Sequence, residues 1–206
     1  MSESCLDCLS WKDILIEFID IERIELGIRS MEQIRIHQIR SANDQHFADF
    51  WRIYTESFPF NERRTPDQHI RIFQKPHYQI NTYVIGNQFV GFIASWGDTE
   101  FVFVEHFAIS PEFRSKRLGS TVLQQFIEEF YIPVILEIEM PIDELTKRRL
   151  KFYELAGFLR NQHNHYMPPY HKSNPPLEME ILTFPTMISD ELYQRFAKFQ
   201  KEVVMG

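Results

Sequence analysis

The chain has 206 residues, and 22 lysines and arginines against 29 aspartates and glutamates leave a formal charge of −7. With 44% hydrophobic and 25% charged residues it has the composition of one globular domain, not of a disordered or fibrous chain, and its acidity gives no cationic face for nucleic acid. It has no apolar run of about 18 residues and no basic-then-apolar start, so neither a membrane span nor a signal peptide is expected, and the protein is expected to be cytoplasmic.

Cys5 and Cys8 form a lone C-x-x-C near the chain start. Without a second pair they complete no tetrahedral zinc site and read as incidental reduced thiols. Ile14, Leu15, Phe18 and Ile19 fall on one helical face behind Ser10 and Asp13, which predicts a short amphipathic helix in an extension over 1–30. A single domain is expected over 31–206. Ile34 to Ile39 alternates apolar and polar residues as a strand does. Phe47, Phe50, Trp51 and Tyr54 recur at helical spacing until Phe58-Pro59, and Thr65-Pro66 opens a second short helix that ends before Pro76.

The next segment reads as β structure. Ile80 to Ile85 and Gln88 to Ile93 flank Gly86-Asn87, a two-residue hairpin signal. Trp96-Gly97-Asp98 marks a further turn, and Phe101 to Ile109 is a third apolar strand. Leu118, Val122, Leu123 and Phe126 give a helix to about Phe130. Pro133 to Glu139 reads as a buried strand, Glu144 to Ala156 as a helix closed by Gly157, and Phe158 onward as strand again. Leu177 to Phe184 is the last strand, before a helix that Ser189 could cap. The fold class is α+β, with a mixed, mostly antiparallel central sheet flanked by helices.

Seven glycines in the whole chain form neither Gly-x-Gly-x-x-Gly nor a Walker sequence, which removes most nucleotide-binding loops from consideration. The most informative stretch is Phe107-Ala-Ile-Ser-Pro-Glu-Phe-Arg-Ser-Lys-Arg-Leu-Gly-Ser120. Arg114, Lys116 and Arg117 crowd the start of a helix, where unpaired N–H groups already supply partial positive charge. A bound phosphate would turn that repulsion into attraction. A solvated basic turn would give the same run of charges.

Arg114-Ser-Lys-Arg-Leu-Gly119 after Pro111 resembles the strand-loop-helix segment Arg/Gln-x-x-Gly-x-Gly/Ala of the GNAT (GCN5-related N-acetyltransferase) superfamily. Glu105-His106-Phe107-Ala108-Ile109 is similar to the fourth family strand, and Phe152-Tyr153-Glu-Leu-Ala-Gly-Phe158 to the late helix ending in Phe-Tyr-x-x-x-Gly-Phe. The resemblance covers about Glu32 to Phe184. The chain departs from the pattern at Arg117, where the family has a loop glycine, and at Thr146 and Arg149 in the late helix.

The resemblance implies an acyl-CoA N-acyltransferase fold and an acetyl-CoA-dependent N-acetyltransferase acting on a primary amine of a small molecule, amino acid or peptide. Acetyl-CoA would enter as co-substrate between two splayed parallel strands, its pantetheine arm against Phe107 and Ile109. Its pyrophosphate would lie on the amides of Ser115, Lys116, Arg117, Leu118, Gly119 and Ser120, with Arg114 beside them. Phe107 or Ala108 would supply a backbone oxyanion donor.

In the same resemblance Glu105 is the base, with burial expected to raise its pKa into a useful range, and Tyr153 is the acid for the departing thiolate. The acceptor side would be Ser57 to Arg64 and His165 to Tyr170, with Glu62, Arg63 and Tyr170 as substrate-binding residues. His106 is read as structural, on the strand face opposite Glu105. His163 and His165 could share a face but lack a third ligand, so no metal is expected. A non-catalytic CoA-binding regulatory or interaction protein is the alternative on the same fold. An acyltransferase to oxygen, or of a longer chain, would also fit the same pocket. The sequence admits a homodimer.

Overall fold

The computed structural model of the protein describes residues 34–206, so Cys5, Cys8 and the helix expected within the first thirty residues lie outside the described residues. Strand β1 (Ile34–Ile39) is followed by helices α1 (Phe47–Ser57) and α2 (Pro66–Ile72). Strands β2 (Tyr78–Ile85), β3 (Gln88–Gly97) and β4 (Val102–Ile109) form a meander. Helix α3 (Leu118–Ile127), strand β5 (Val134–Glu139) and helix α4 (Glu144–Leu155) come next. Short strands β6 (Leu159–Arg160) and β7 (His165–Met167), strand β8 (Leu177–Phe184) and helix α5 (Asp190–Phe199) complete the chain, with a π-helical turn over Gln200–Val204.

The strands form one sheet in the order β1-β2-β3-β4-β5-β8-β6, with β7 also on β8. All described pairings are antiparallel except β4 with β5. Alternation along the strands sends apolar side chains to both faces, so two cores form. Phe50, Ile53 and Tyr54 of α1, Ile72 of α2 and Phe196 and Phe199 of α5 pack on one face with Phe92, Trp96, Phe103, Ile135 and Ile181. Leu118, Val122, Leu123 and Phe126 of α3 and Leu150 and Tyr153 of α4 pack on the other with Val102, Val104, Leu136 and Ile138.

Local chemistry fixes the element ends. Thr65 and Gln68 close a reciprocal capping box at α2, with Pro66 at the first helical position, and Asp143 and Thr146 do the same at α4. Gly86 adopts φ +60° in the β2–β3 hairpin, as the Gly86-Asn87 signal requires. Two boundaries differ from the sequence reading. Strand β3 continues through Trp96 to Gly97, and the turn falls one residue later, where Asp98 accepts from the Glu100 N–H at 3.1 Å. The segment after Phe158 is two short strands whose pairings with β8 are two residues out of register. The Asn161 side chain bonds Leu159 O and Thr183 Oγ1 there, and such local bonds compete with a continuous ladder.

Gly91 sets the spacing of β3 and β4. It pairs with Ile109, and a Cβ at position 91 would lie 2.4 Å from Ala108 O and 2.9 Å from Ile109 Cδ1. Relief would have to push the end of β4 sideways. Gly91→Ala is expected to cost about 1–3 kcal/mol of stability, read as a lowered urea midpoint with unchanged slope.

Candidate active site

Strands β4 and β5 pair over only three residues, Val102 with Val134, Phe103 with Ile135 and Val104 with Leu136, and then diverge. Beyond that point β4 keeps its bonds to β3 and β5 keeps its bonds to β8, so main-chain groups on the two facing edges are left to the gap. A cleft of about 410 Å³ occupies it, running from Phe107 and Ile109 past Tyr153 to Glu62, Glu105 and Glu137.

A bulge breaks β4 at the centre of this cleft. Ala94 pairs with His106 and Ser95 with Val104, so Glu105 has no partner on β3. Alternation is reset there. Glu105 touches Trp96 and Tyr170, and His106 stacks edge-on against Tyr54 and Phe58, so both side chains lie on the α1–α2 face. The expected opposite-face placement of His106 fails for that reason. His106 Nε2–H donates to Glu62 O at 3.0 Å and so ties the acceptor-side loop to β4.

The Glu105 side chain is 1% exposed and wholly engaged. Oε1 accepts from Arg64 Nη1 and, at 2.9 Å, from Tyr170 Oη, while Oε2 accepts from Trp96 Nε1 at 2.8 Å. Burial alone would raise its pKa, as expected from the sequence. Arg64, then His106 and Trp96, outweigh burial and hold the carboxyl well below the usual carboxylate range. The expectation of a raised pKa is therefore corrected, and a carboxylate held this way is a poor resting proton acceptor.

Arg64, which the sequence does not single out, is as buried as its partner. Its Nη2 donates to Val204 O at 2.7 Å, its backbone N–H donates to Tyr54 Oη at 2.9 Å, and its Cζ lies 4.9 Å from the Tyr170 ring centre. The only available signal is that a carboxylate in an apolar strand needs a cation.

The cationic loop has an anion-receptive backbone. Ser115 (φ +63°) and Arg117 (φ +60°) are left-handed, and Arg117 precedes the first turn of α3. Among the described residues, no protein acceptor takes the backbone N–H groups of Ser115 to Ser120, whereas Thr121 N–H returns to Arg117 O at 3.1 Å. Successive unpaired N–H groups beside left-handed residues form a nest for anionic oxygens. Arg114 folds back to donate to Ile109 O at 3.0 Å, and Lys116 lies over the Phe113 ring. Ser115, Arg117, Gly119 and Ser120 line a hollow that meets Phe107 and Ile109 of β4. The Leu118 side chain is buried in the core, so only its backbone can serve a ligand there.

Tyr153 reaches the cleft from α4, and burial, opposed by Arg149, pushes its phenol up to about 12. Arg149 pairs with Glu139 at the cleft edge. On the acceptor side, Glu62 and Tyr170 line the cleft, while Arg63 turns away to donate to Phe58 O at 3.1 Å. Burial raises the Glu62 pKa against the pull of Arg149 and His106. His163 and His165 do not share a site: His163 stacks flat on Tyr193 at 4.0 Å, and His165 turns inward to Glu137. Among the described residues no cluster of three metal-ligating side chains occurs, and no helix is long and apolar enough to cross a membrane.

The family description "Acetyltransferase (GNAT) family" matches residues 47–158, more than half of the chain. No curated protein matches it. Among solved structures, the chain is similar to one described as a GNAT-family acetyltransferase from Bacteroides thetaiotaomicron, at 29% identity and a TM-score of 0.78 over 84% of this chain and 98% of that one. It shares its fold with the ribosomal-protein-S18-alanine N-acetyltransferase from Escherichia coli, at 15% identity and a TM-score of 0.53 over 77% of this chain and 97% of that one. It also shares it with Arabidopsis thaliana Naa50 in complex with the bisubstrate analogue CoA-Ac-MVNAL, at 14% identity and a TM-score of 0.53 over 73% and 97%. A splayed parallel strand pair, an amide-lined loop at one end and a helix tyrosine at the other thus sit in a matching sequence frame, and the chain belongs to the GNAT family of acetyltransferases.

Proposed function

We propose that this protein moves an acetyl group from acetyl-CoA to a primary amine of a small molecule, amino acid or peptide by direct attack on the thioester. The observation that carries this reading is the gap between β4 and β5, bounded by the free amides of Ser115 to Ser120 and by the Tyr153 hydroxyl. Those amides with Arg114 and Arg117 hold a diphosphate, and the unpaired edge of β4 from Phe107 to Ile109 holds the arm between diphosphate and thioester. The structural relatives act on amines of protein or peptide, or carry an analogue joining CoA to a peptide, which fits an amine acceptor.

A primary amine with a reference pKa of about 10.4 is almost wholly protonated at neutral pH, so it must lose a proton before it attacks. The acceptor enters beside Glu62, whose partly desolvated carboxylate receives a cation. Glu105 contributes as a fixed buried charge that holds Arg64, Trp96 and Tyr170 in place, and the free proton acceptor lies elsewhere in the cleft. As the C–N bond forms, a backbone N–H at Phe107 or Ala108 stabilises the oxyanion. As the C–S bond breaks, Tyr153 gives its hydroxyl proton to the sulfur. A phenol raised to about 12 is fully protonated at neutral pH, and a thiolate forming in the same dry cleft is made more basic by the same desolvation.

Thiol release from acetyl-CoA across a panel of primary amines tests the activity, and CoA binding without turnover on any of them would refute it. Tyr153→Phe is expected to lower kcat at least about tenfold with little change in CoA affinity; an unchanged kcat removes the acid role. Reversing charge at both Arg114 and Arg117 is expected to weaken CoA binding by an amount that shrinks as salt rises, measured by calorimetry at two ionic strengths.

Glu105→Gln leaves Arg64 buried without its anion and is expected to cost about 3–5 kcal/mol. Because folding lowers the Glu105 pKa, its contribution is present above the unfolded value of about 4.3 and is lost as pH falls below it. Urea titrations from pH 7 to pH 3 should therefore show wild type and Glu105→Gln converging in stability as the pH drops.

A further inference from the structure

Arg149 marks a place in α4 where the chain departs from the family pattern, and the steps above give it no task. It lies one helical turn before Tyr153, so the two side chains leave the same face of α4, and both line the cleft. Its Nη1 pairs with Glu139 at the end of β5, and its side chain is 37% exposed. Among the described residues no group other than Glu139 accepts from it. A guanidinium has five N–H donors in a planar fork, so one carboxylate partner leaves donors over for a second.

Glu62 is the opposite charge on the same cleft. It belongs to the acceptor-side loop that His106 ties down through the Glu62 carbonyl, and among the described residues its carboxylate pairs with no cation. Burial raises the pKa of Glu62 and of Tyr153, and Arg149 opposes burial at both, so its charge reaches both groups. No ion pair joins Arg149 to Glu62 all the same. Of the other charged groups that line the cleft, Glu105 meets Arg64, Glu137 meets His165, Glu56 meets Arg52 and Arg114 meets Ile109 O. Two opposite charges that act on each other across a cleft without touching leave room for a guest with the charges reversed, its ammonium toward Glu62 and its carboxylate toward Arg149.

The acceptor end is also confined. Phe60 and His171 stack flat at 4.1 Å, and His171 Nε2 donates to Phe60 O at 2.9 Å, so the two acceptor-side segments are joined to each other. With the arm of the coenzyme in the same cleft of about 410 Å³, the space left over suits an amino acid and not the body of a protein.

We infer that the acceptor is a free amino acid and that Arg149 selects it by its carboxylate. This assignment rests on the acetyltransferase reading above and narrows its acceptor class. The carboxylate takes charge-assisted N–H bonds from the guanidinium, while Glu139 keeps its own contact and steadies the fork at the cleft. The amine is thereby presented between Glu62 and Tyr153, where its neutral form attacks the thioester. The carboxylate is unchanged by the reaction, so Arg149 sets specificity and takes no part in proton transfer. An amine without the carboxylate loses that anchor in the bound state and the transition state alike.

The experiment sets each of the standard amino acids against its carboxamide, with acetyl-CoA as donor, and records kcat and KM separately for wild type, Arg149→Ala and Arg149→Lys. On the best amino acid, Arg149→Ala is expected to raise KM at least about tenfold with kcat little changed, and to move kcat/KM of the matching amide less than about twofold. Following the variants on both members of a pair cancels the difference between their amine pKa values. Arg149→Lys keeps the charge without the fork and should fall between wild type and Arg149→Ala. Equal effects on amino acid and amide, or none on either, would overturn the inference, as would acetylation confined to amides or to peptide amino termini. A loss in Arg149→Ala seen only with succinyl-CoA as donor would place the carboxylate on the acyl group and overturn it too.

A second readout needs no turnover. Calorimetric titration of the same amino acids and amides into the CoA-bound protein should show the amino acid bound more tightly than its amide by wild type, and at least about tenfold more weakly by Arg149→Ala than by wild type. That result supports the carboxylate site even if no acetyl group moves, in which case the activity alone is refuted. Acetylation of amines with no binding advantage for the amino acids would keep the activity and remove Arg149 from the choice of acceptor.

Discussion

A guanidinium and a carboxylate share one dry site where β4 loses its regular pairing, and the arrangement of the reaction end of the protein depends on them. Arg64 comes from the loop before α2 and Glu105 from the β4 bulge, and their remaining hydrogen bonds recruit Trp96 of β3, Tyr170 after β7 and the Val204 carbonyl of the π-helical turn. Five separate stretches of chain are pinned to one point. Taking two charges out of water is tolerable only when nearly every donor and acceptor is satisfied, so the pair admits few alternative packings of the segments around it. The acceptor-side loop inherits that order through Arg64 and through His106, which bonds the Glu62 carbonyl.

Much of this architecture is legible in the residues. The strand alternation of Ile34 to Ile39, the Gly86-Asn87 turn, the Thr65-Pro66 helix start and the helix ended by Gly157 each carry their own local chemistry, and each element forms close to the expected bounds. Arg114 to Ser120 is legible as a candidate anion-binding loop because three cations crowded at a helix start repel one another until an anion joins them, and the left-handed Ser115 and Arg117 agree with that reading. The Glu105 environment is not legible in the same way. Its burial follows from an apolar strand, but Arg64 is 41 positions from Glu105 and 140 from Val204, and no periodicity encodes such contacts. The bulge that brings His106 to the same face follows from pairing with β3, which is a tertiary event. The inward turn of His165 escapes the sequence for a related reason: its contact with Glu137 joins β7 to β5 across 28 positions, and only the pairing of both strands with β8 brings them together.

Arg117 shows how a departure from a family pattern is absorbed. Left-handed backbone costs a non-glycine residue about 1–2 kcal/mol, so an arginine there is strained where glycine would be at ease. The left-handed φ is kept all the same, and the side chain adds a positive charge to the loop that lines the hollow beside β4. Strain held at a binding loop and compensated by the bound partner is a recurrent arrangement in proteins.

The short contact between β4 and β5 has a consequence for how this fold can change. Only three rungs join the two halves of the sheet, and beyond them each lip of the seam presents main-chain donors and acceptors that no side chain supplies. On the proposed reading, an arm lying in the seam meets groups common to every amino acid. The side chains that line the seam can then, on that reading, vary in bulk without surrendering the coenzyme, because the main chain holds it.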